Sequence, residues 1–125
     1  MQSRVIFSEP LIVQGQYFRA LLGGTKTCEG RKLQGKFSGL RSGMFIHLKN
    51  GETGESRLCK IIRVHMYQPR TRLNPLLNFL TQEGVSNVLP GVNSLERTVE
   101  IYLSFGTTLE EIRESGFQGI FLKPV

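Results

Sequence analysis

The chain has few of the residues that build metal centres and disulfide frameworks. Its 125 residues include two cysteines, Cys28 and Cys59, and two histidines, His47 and His65. Two cysteines are too few for a disulfide framework, and neither lies at metal-ligand spacing from a second ligand. We therefore expect no metal site and no cofactor. The spacing also gives no support to a catalytic cysteine–histidine pair.

Long apolar runs are absent as well. No stretch approaches the roughly 20 apolar residues that a membrane-spanning helix needs. Residues 1–13 alternate between apolar and polar and contain Glu9 and Pro10, which is unlike a signal peptide. The sequence therefore predicts a protein without a membrane partner, located in the cytoplasm or the nucleus.

Several motifs of well-known enzyme classes are missing. The chain has no Gly-x-Ser-x-Gly nucleophile elbow, no phosphate-binding loop of the Walker type and no dinucleotide-binding fingerprint. These absences argue against α/β-hydrolases, P-loop nucleotidases and Rossmann dehydrogenases.

The charge that is present is unevenly distributed. The formal net charge is +6, and all ten acidic residues are glutamates. Residues 1–75 carry a net charge of +9, whereas residues 76–125 carry −3. A basic half favours a polyanionic partner, because neutralising phosphates releases counterions. Basicity of this size also occurs for solubility alone, and the basic residues here are scattered singly.

One stretch combines a lysine, a carboxylate and an arginine within six positions. It runs from Gly24 to Arg31 and follows an apolar segment that ends in two glycines. If the stretch is extended, Glu29 and Arg31 leave the same face, because side chains alternate along a strand. Lys26 has the opposite parity and reaches that face only if the chain is still turning after the glycines, which accept positive φ readily.

This pattern, Gly24-x-Lys26-x-x-Glu29-Gly30-Arg31 after an apolar helix, resembles the signature of ASCH domains, the ASC-1 homology family of PUA-like β-barrels. Further segments resemble the family in the same order along the chain: 42–46, 89–92, 96–105 and 116–122. Within 42–46, Met44 stands where the family usually has an acid. The resemblance covers most of residues 1–125 and implies one ASCH-like domain.

The resemblance implies a cleft that binds RNA or a nucleotide. Lys26 and Arg31 would contact phosphate or a base edge, and Glu29 would orient them. Arg63 is a further candidate ligand-binding residue, because it shares a face of its strand with His65 and Tyr67. A basic, glycine-spaced segment follows the signature and is a candidate track for single-stranded RNA. Its basic residues are Lys32, Lys36 and Arg41.

An enzyme is the second hypothesis. One bacterial branch of the family hydrolyses the amide of N4-acetylcytidine with a lysine, a threonine and a glutamate. Lys26 matches the lysine and Glu83 matches the glutamate, but Glu29 stands at the position of the threonine. A third hypothesis is a protein-interaction module in transcription coactivation, as the family name implies for its founding member.

The pattern of elements predicts an α+β protein, a small partly closed barrel of about five to six strands with flanking short helices. We expect strands over 4–8, the signature, 44–49, 57–68 and 117–122. We expect helices over 13–22, from Asn74-Pro75 to Gly84, from 93 or 94 to about 105, and after Thr107 or Thr108. In the longest strand, alternation predicts a core face that contains Leu58, Ile62, Val64 and Met66.

Overall fold

A five-stranded sheet organises the molecule. The computed structural model describes residues 4–125. The strands are β1 (Leu11–Val13), β2 (Glu29–Lys32), β3 (Phe45–Asn50), β4 (Ser56–Tyr67) and β5 (Phe117–Pro124). Their order across the sheet is β1-β3-β4-β5-β2. β1 pairs with β3 in parallel, and the other pairs are antiparallel. The sheet curls into a half-barrel, which confirms the α+β, partly closed barrel prediction.

Within residues 4–125, five short helices accompany the sheet. They are α1 (Gly15–Gly23), α2 (Pro75–Glu83), α3 (Val85–Val88), α4 (Leu95–Leu103) and α5 (Leu109–Ser115). Their caps follow the sequence: Asn74 accepts from the Leu76 amide, Ser94 accepts from the Arg97 amide, and Thr108 accepts from the Glu111 amide. Each cap satisfies an amide that the first helical turn leaves without a partner. No helix within residues 4–125 is long and apolar enough to cross a bilayer.

The prediction of a first strand over 4–8 is wrong. That segment forms only an isolated bridge, in which Ile6 pairs with Phe45. The strand forms after Pro10 instead, where Leu11 lies opposite Leu48 and is fully buried. The apolar run after the proline therefore occupies the edge of β3. Within the predicted basic segment, 35–39 form a single 3₁₀ turn.

The predicted core face of β4 is only partly correct: Val64 is half-buried against the core, whereas Ile62 and Met66 are exposed. A β-bulge shifts the register between Ile61 and Arg63, so Ile62 has no partner on β5. The extra residue reverses the alternation, and residues of equal parity before and after it lie on opposite faces. Ile62 is consequently exposed, whereas Cys59 and Ile61 are buried. Met66, also placed in the core by alternation, is exposed too.

Both faces of the sheet are covered at their centre, which explains why alternation fails as a guide. The inner face of the half-barrel contains Ile61 and Ile120, both fully buried. The outer face packs against α2, where the ring centroid of Phe79 lies 5.1 Å from that of Phe117. A Cβ at Gly119 would lie 2.9 Å from Phe79, so this position admits only glycine without a shift. The core thus fixes β5, and with it β2, against the helices.

Candidate functional site

A cleft lies where the half-barrel fails to close. β1 and β2 are the two edge strands of the sheet, and a cleft of about 640 Å³ separates their ends. We call it the seam cleft. Its walls are the edge of β2, the β1–α1 junction, the β3–β4 turn and the C-terminal end of α4. The side chains used below are Tyr17, Glu29, Arg31, Lys32, Tyr102 and Phe105.

Three charged side chains meet at the floor of the seam cleft. Glu29 Oε2 lies 2.9 Å from Arg31 Nη1, and Glu29 Oε1 lies 3.3 Å from Lys26 Nζ. Glu29 and Arg31 share the inner face of β2, as the alternation of the strand predicts. The carboxylate therefore joins two cations at the edge of the sheet.

Lys26 reaches Glu29 because the chain turns between α1 and β2. Gly24 adopts a left-handed conformation with φ of 86° as the helix C-cap, and the Lys26 amide donates to the Ala20 carbonyl. The Lys26 side chain is buried, its Nζ donates to the Val88 carbonyl, and the ring of Tyr17 lies 5.4 Å from it. Lys26 thus supports Glu29 from below the floor and is shielded from solvent.

Arg31 spans the gap between the two edge strands. Its Nη1 donates to the Gly30 carbonyl at 2.9 Å, and its Nη2 donates to the Ile12 carbonyl of β1 at 2.7 Å. The side chain remains 25% exposed toward the cleft. With the Glu29 contact, these bonds account for three of the five N–H groups of a guanidinium.

The electrostatics of this group favour an ionised carboxylate. Burial by itself would raise the pKa of Glu29, but Arg31 and Lys26 outweigh it, and the Gly30 amide adds a hydrogen bond. The net effect is a pKa below the ordinary value of 4.5. Glu29 is consequently an anion at neutral pH whose oxygens face protein donors.

An aromatic wall stands on the other side of β2. Tyr102 and Phe105 lie on α4 and just after it, with ring centroids 6.2 Å apart in an edge-to-face arrangement. Phe105 is 53% exposed at the mouth of the cleft, whereas Tyr102 is buried. Tyr102 packs beside Gly30, where a Cβ would lie 2.9 Å from the tyrosine hydroxyl. The glycine therefore makes room for the aromatic wall.

The hydroxyl of Tyr102 is buried beside the Gly30 amide, on the face of β2 opposite the side chains of Glu29 and Arg31. Its neighbour, the Gly30 amide, already donates to Glu29 Oε1 at 3.0 Å. Burial, followed by the nearby Glu29 carboxylate, raises the pKa of Tyr102 well above 10, so the hydroxyl stays protonated.

The three basic residues of the predicted RNA track have different surroundings. Lys32 lines the seam cleft and pairs with Glu111 on α5 at 3.1 Å. Lys36 is exposed, pairs with Glu9 at 3.5 Å and lies 5.3 Å from the centre of the Phe37 ring. Arg41 is exposed on the segment that leads into β3.

We call Lys26, Glu29 and Arg31 the triad. Glu83 and Arg63 lie outside it. Glu83 Oε2 accepts from the Tyr67 hydroxyl at 2.9 Å and lies 3.5 Å from Nδ1 of His65. A smaller hollow of about 320 Å³ borders His65 and Tyr67. The guanidinium of Arg63 stacks 4.0 Å above the ring of Phe121 on β5. The structure therefore unites Lys26, Glu29 and Arg31, and places Glu83 in a separate cluster.

The cysteines are unreactive in this arrangement. Burial raises the pKa of the Cys28 thiol to about 12, and burial also raises the pKa of Cys59. Both remain thiols at neutral pH, and the thiolate is the nucleophilic form. Within residues 4–125, no group of three or more His, Cys, Asp or Glu is positioned to hold a metal ion.

The contribution of Tyr102 was not evident from the sequence. Tyr102 lies on the apolar stripe of α4, where the sequence predicts a core residue. Its contact with Gly30 becomes visible only in the folded structure. Phe105 follows three residues later and adds the exposed end of the wall.

Comparisons with known proteins support the architecture. The chain is similar to the hypothetical protein PH0355, with a TM-score of 0.76, 28% identity, and coverage of 93% of this chain and 97% of that one. It is also similar to protein PF0455 from Pyrococcus furiosus, with a TM-score of 0.71, 23% identity and 98% of each chain covered. No family model and no curated protein matches the chain. The two solved structures share its half-barrel fold over nearly the whole length.

Proposed function

We propose that this chain is an ASCH-type module that binds single-stranded RNA or a nucleotide in the seam cleft. The observation that carries the proposal is a cleft with an arginine held at its floor and aromatic rings along one wall. Ligand pockets of small molecules measure about 300–1,000 Å³ and combine apolar walls with a few placed polar groups. The seam cleft, at about 640 Å³, has both properties.

The aromatic wall supplies the contact for a base. Phe105 is exposed at the mouth, and Tyr17 and Tyr102 line the interior. Unpaired bases of single-stranded RNA stack on such rings, whereas bases within a duplex are covered by their neighbours. A single strand fits this wall better than a double helix.

The basic residues supply the contact for the backbone. Lys32 is at the cleft, and Lys36 and Arg41 continue from it along an exposed segment. The partners of Lys32 and Lys36, Glu111 and Glu9, are themselves about half exposed, so phosphates can replace them at small cost. Binding by this track weakens with salt, because each phosphate contact releases counterions.

The test is the affinity of the whole protein for a fluorescent single-stranded RNA of mixed sequence. Phe105→Ala removes an exposed ring and is expected to weaken binding by about 5- to 100-fold. Lys32→Glu is expected to weaken binding and to reduce its salt dependence. Lys123→Glu, the same charge reversal on β5, serves as the matched control.

The proposal fails if the wild-type protein shows no salt-dependent RNA binding. It also fails if Lys123→Glu weakens binding as much as Lys32→Glu does, since the effect would then come from net charge alone.

Hydrolysis of N4-acetylcytidine receives less support from the geometry. Lys26 Nζ is buried between Glu29 and the Val88 carbonyl, and Glu83 contacts Tyr67 and His65 instead of the triad. Release of acetate from N4-acetylcytidine, lost in Lys26→Ala, would favour the enzyme over the binding module.

A further inference from the structure

The outer face of the sheet carries a basic surface that is separate from the seam cleft. The charged residues of β3, β4 and β5 are Lys49, Arg57, Lys60, Arg63 and Lys123, and none of them is acidic. Lys60, Arg63 and Lys123 are exposed, and they line neither the seam cleft nor the smaller hollow beside His65. We call these three residues the sheet patch.

The β-bulge of β4 brings the three cations of the sheet patch to one face. Lys60 lies opposite Lys123 on β5, and Arg63 lies opposite Phe121. Residues 121 and 123 of β5 point to the same side, because side chains alternate along a strand, and their partners on β4 point there too. Without the extra residue at the bulge, Lys60 and Arg63 would lie on opposite faces.

The cations of the sheet patch have no counterions in the protein. Within residues 4–125, none of the three forms an ion pair, whereas Lys32 and Lys36 each pair with a glutamate. Lys60 and Lys123 are direct cross-strand neighbours, and like charges in that position destabilise a sheet. An anion bound between them would remove the repulsion, so the sheet patch is complementary to a polyanion.

The aromatic rings beside the sheet patch are covered by guanidinium groups. The guanidinium of Arg63 lies 4.0 Å from the centre of the Phe121 ring, and that of Arg4 lies 4.9 Å from the centre of the Phe45 ring. Both rings are also partly buried. Single strands gain much of their affinity by stacking bases on exposed rings, whereas a duplex covers its bases and presents phosphates and 2′-hydroxyls. A surface that offers charge without a free ring fits a duplex better than a single strand.

We propose that the sheet patch binds the phosphate backbone of duplex RNA. This inference goes beyond the single-strand binding assigned to the seam cleft and does not depend on it, because the two surfaces share no residue.

The experiment measures the affinity of the whole protein for a blunt RNA duplex of about 16 base pairs, the length that one duplex-binding module spans. The single-stranded RNA described above is measured in parallel, and both titrations are repeated at several salt concentrations. Lys60→Glu is expected to weaken duplex binding and to reduce the slope of log affinity against log salt by about 1. Lys60→Glu combined with Lys123→Glu should reduce the slope by about 2. Single-strand binding should change little in either variant.

Lys32→Glu is the matched control, because it makes the same change of charge at the seam cleft. It should weaken single-strand binding and leave duplex binding nearly unchanged, which is the reverse of Lys60→Glu. Lys123→Glu alone should affect only the duplex, in keeping with its use as the control for the seam cleft. The thermal unfolding temperature of Lys60→Glu should not fall, because the new carboxylate lies opposite Lys123.

Three results would overturn the role of the sheet patch. The first is a wild-type protein that does not bind the duplex, and the second is equal weakening of duplex binding by Lys32→Glu and Lys60→Glu. The third is displacement of the duplex by polyglutamate as readily as by unlabelled duplex, since the surface would then bind an acidic protein segment. Duplex binding that persists in a protein without single-strand binding would overturn the proposed function of the seam cleft and leave this inference standing.

Discussion

Two groups of charged side chains follow one another along the chain and lie in contrasting environments. The first is the triad of Lys26, Glu29 and Arg31, in which the lysine and glutamate are almost fully buried. The second is the surface track of Lys32, Lys36 and Arg41, whose ion pairs are largely exposed. The residue types are similar, yet breaking a buried pair costs several kcal/mol and an exposed pair contributes little. The buried charges therefore stabilise the floor of the cleft, whereas the exposed charges are available to a partner.

The largest expected effect comes from breaking the buried group. Glu29→Gln should lower the free energy of unfolding by about 3–5 kcal/mol, because Lys26 would stay buried without its carboxylate. Glu111→Gln breaks the exposed pair with Lys32 and should cost far less, because solvent and salt screen an exposed pair. Urea unfolding of both variants measures the difference. Equal losses would contradict the contrast between the two groups.

Substitution of Gly30 tests how closely β2 packs against the aromatic wall. A Cβ at this position would lie within 3 Å of Phe117, Phe79 and Tyr102, so Gly30→Ala should cost about 1–3 kcal/mol. Gly23→Ala is the control, because a Cβ there meets nothing within 4 Å. Thermal unfolding of the pair gives the answer. If Gly30→Ala left the stability unchanged, the aromatic side chains would have moved to make room for the methyl group.

The buried and the exposed group also differ in how salt changes the pKa of their glutamates. The pKa values of Glu29 and Glu111 both lie below 4.5. At Glu29, burial would raise the pKa, but the charges of Arg31 and Lys26 outweigh it. At Glu111, the hydrogen bond from Lys32 is the largest cause of the lowered pKa. A lowered folded-state pKa gives stability that is present above about pH 4.5 and is lost as the pH falls through the folded pKa.

NMR titration of the side-chain carboxyl carbons measures both pKa values. Added salt should move the pKa of Glu111 toward its ordinary value, because its ion pair with Lys32 lies at the surface, and should change the pKa of Glu29 much less. A shift of equal size at the two sites would show that solvent reaches the triad.

The smallest effect on stability is expected at the surface track. Lys36→Ala and Arg41→Ala should each change the free energy of unfolding by no more than about 0.5 kcal/mol. Each should nevertheless reduce the slope of log affinity against log salt by about 0.7, the value for one phosphate of a single strand. An unchanged slope would remove that residue from the track.

Part of this site follows from the sequence by simple rules. The two-residue spacing places Glu29 and Arg31 on one face of β2, and the left-handed Gly24 turns Lys26 toward them. The helix caps at Asn74 and Thr108 were likewise predictable, since side-chain oxygens satisfy free amides locally.

Other features depend on long-range packing that no local pattern contains. The bulge at Ile62 reverses the faces of β4, and a residue count alone cannot locate it. Glu83 is the last residue of α2, and its partner Tyr67 lies 16 residues earlier, on β4. The Tyr102 hydroxyl is buried because α4 packs on Gly30, which is a tertiary contact.

The edge of β2 illustrates how side chains of a strand can occupy the backbone groups that an edge strand leaves open. A strand with one neighbour usually displays free backbone groups that recruit strands from other molecules. At Gly30 both groups are already occupied, the N–H by the carboxylate of Glu29 and the C=O by the guanidinium of Arg31. Losing the triad would therefore do more than destabilise the fold, since it would leave both backbone groups of Gly30 open to a strand from another molecule.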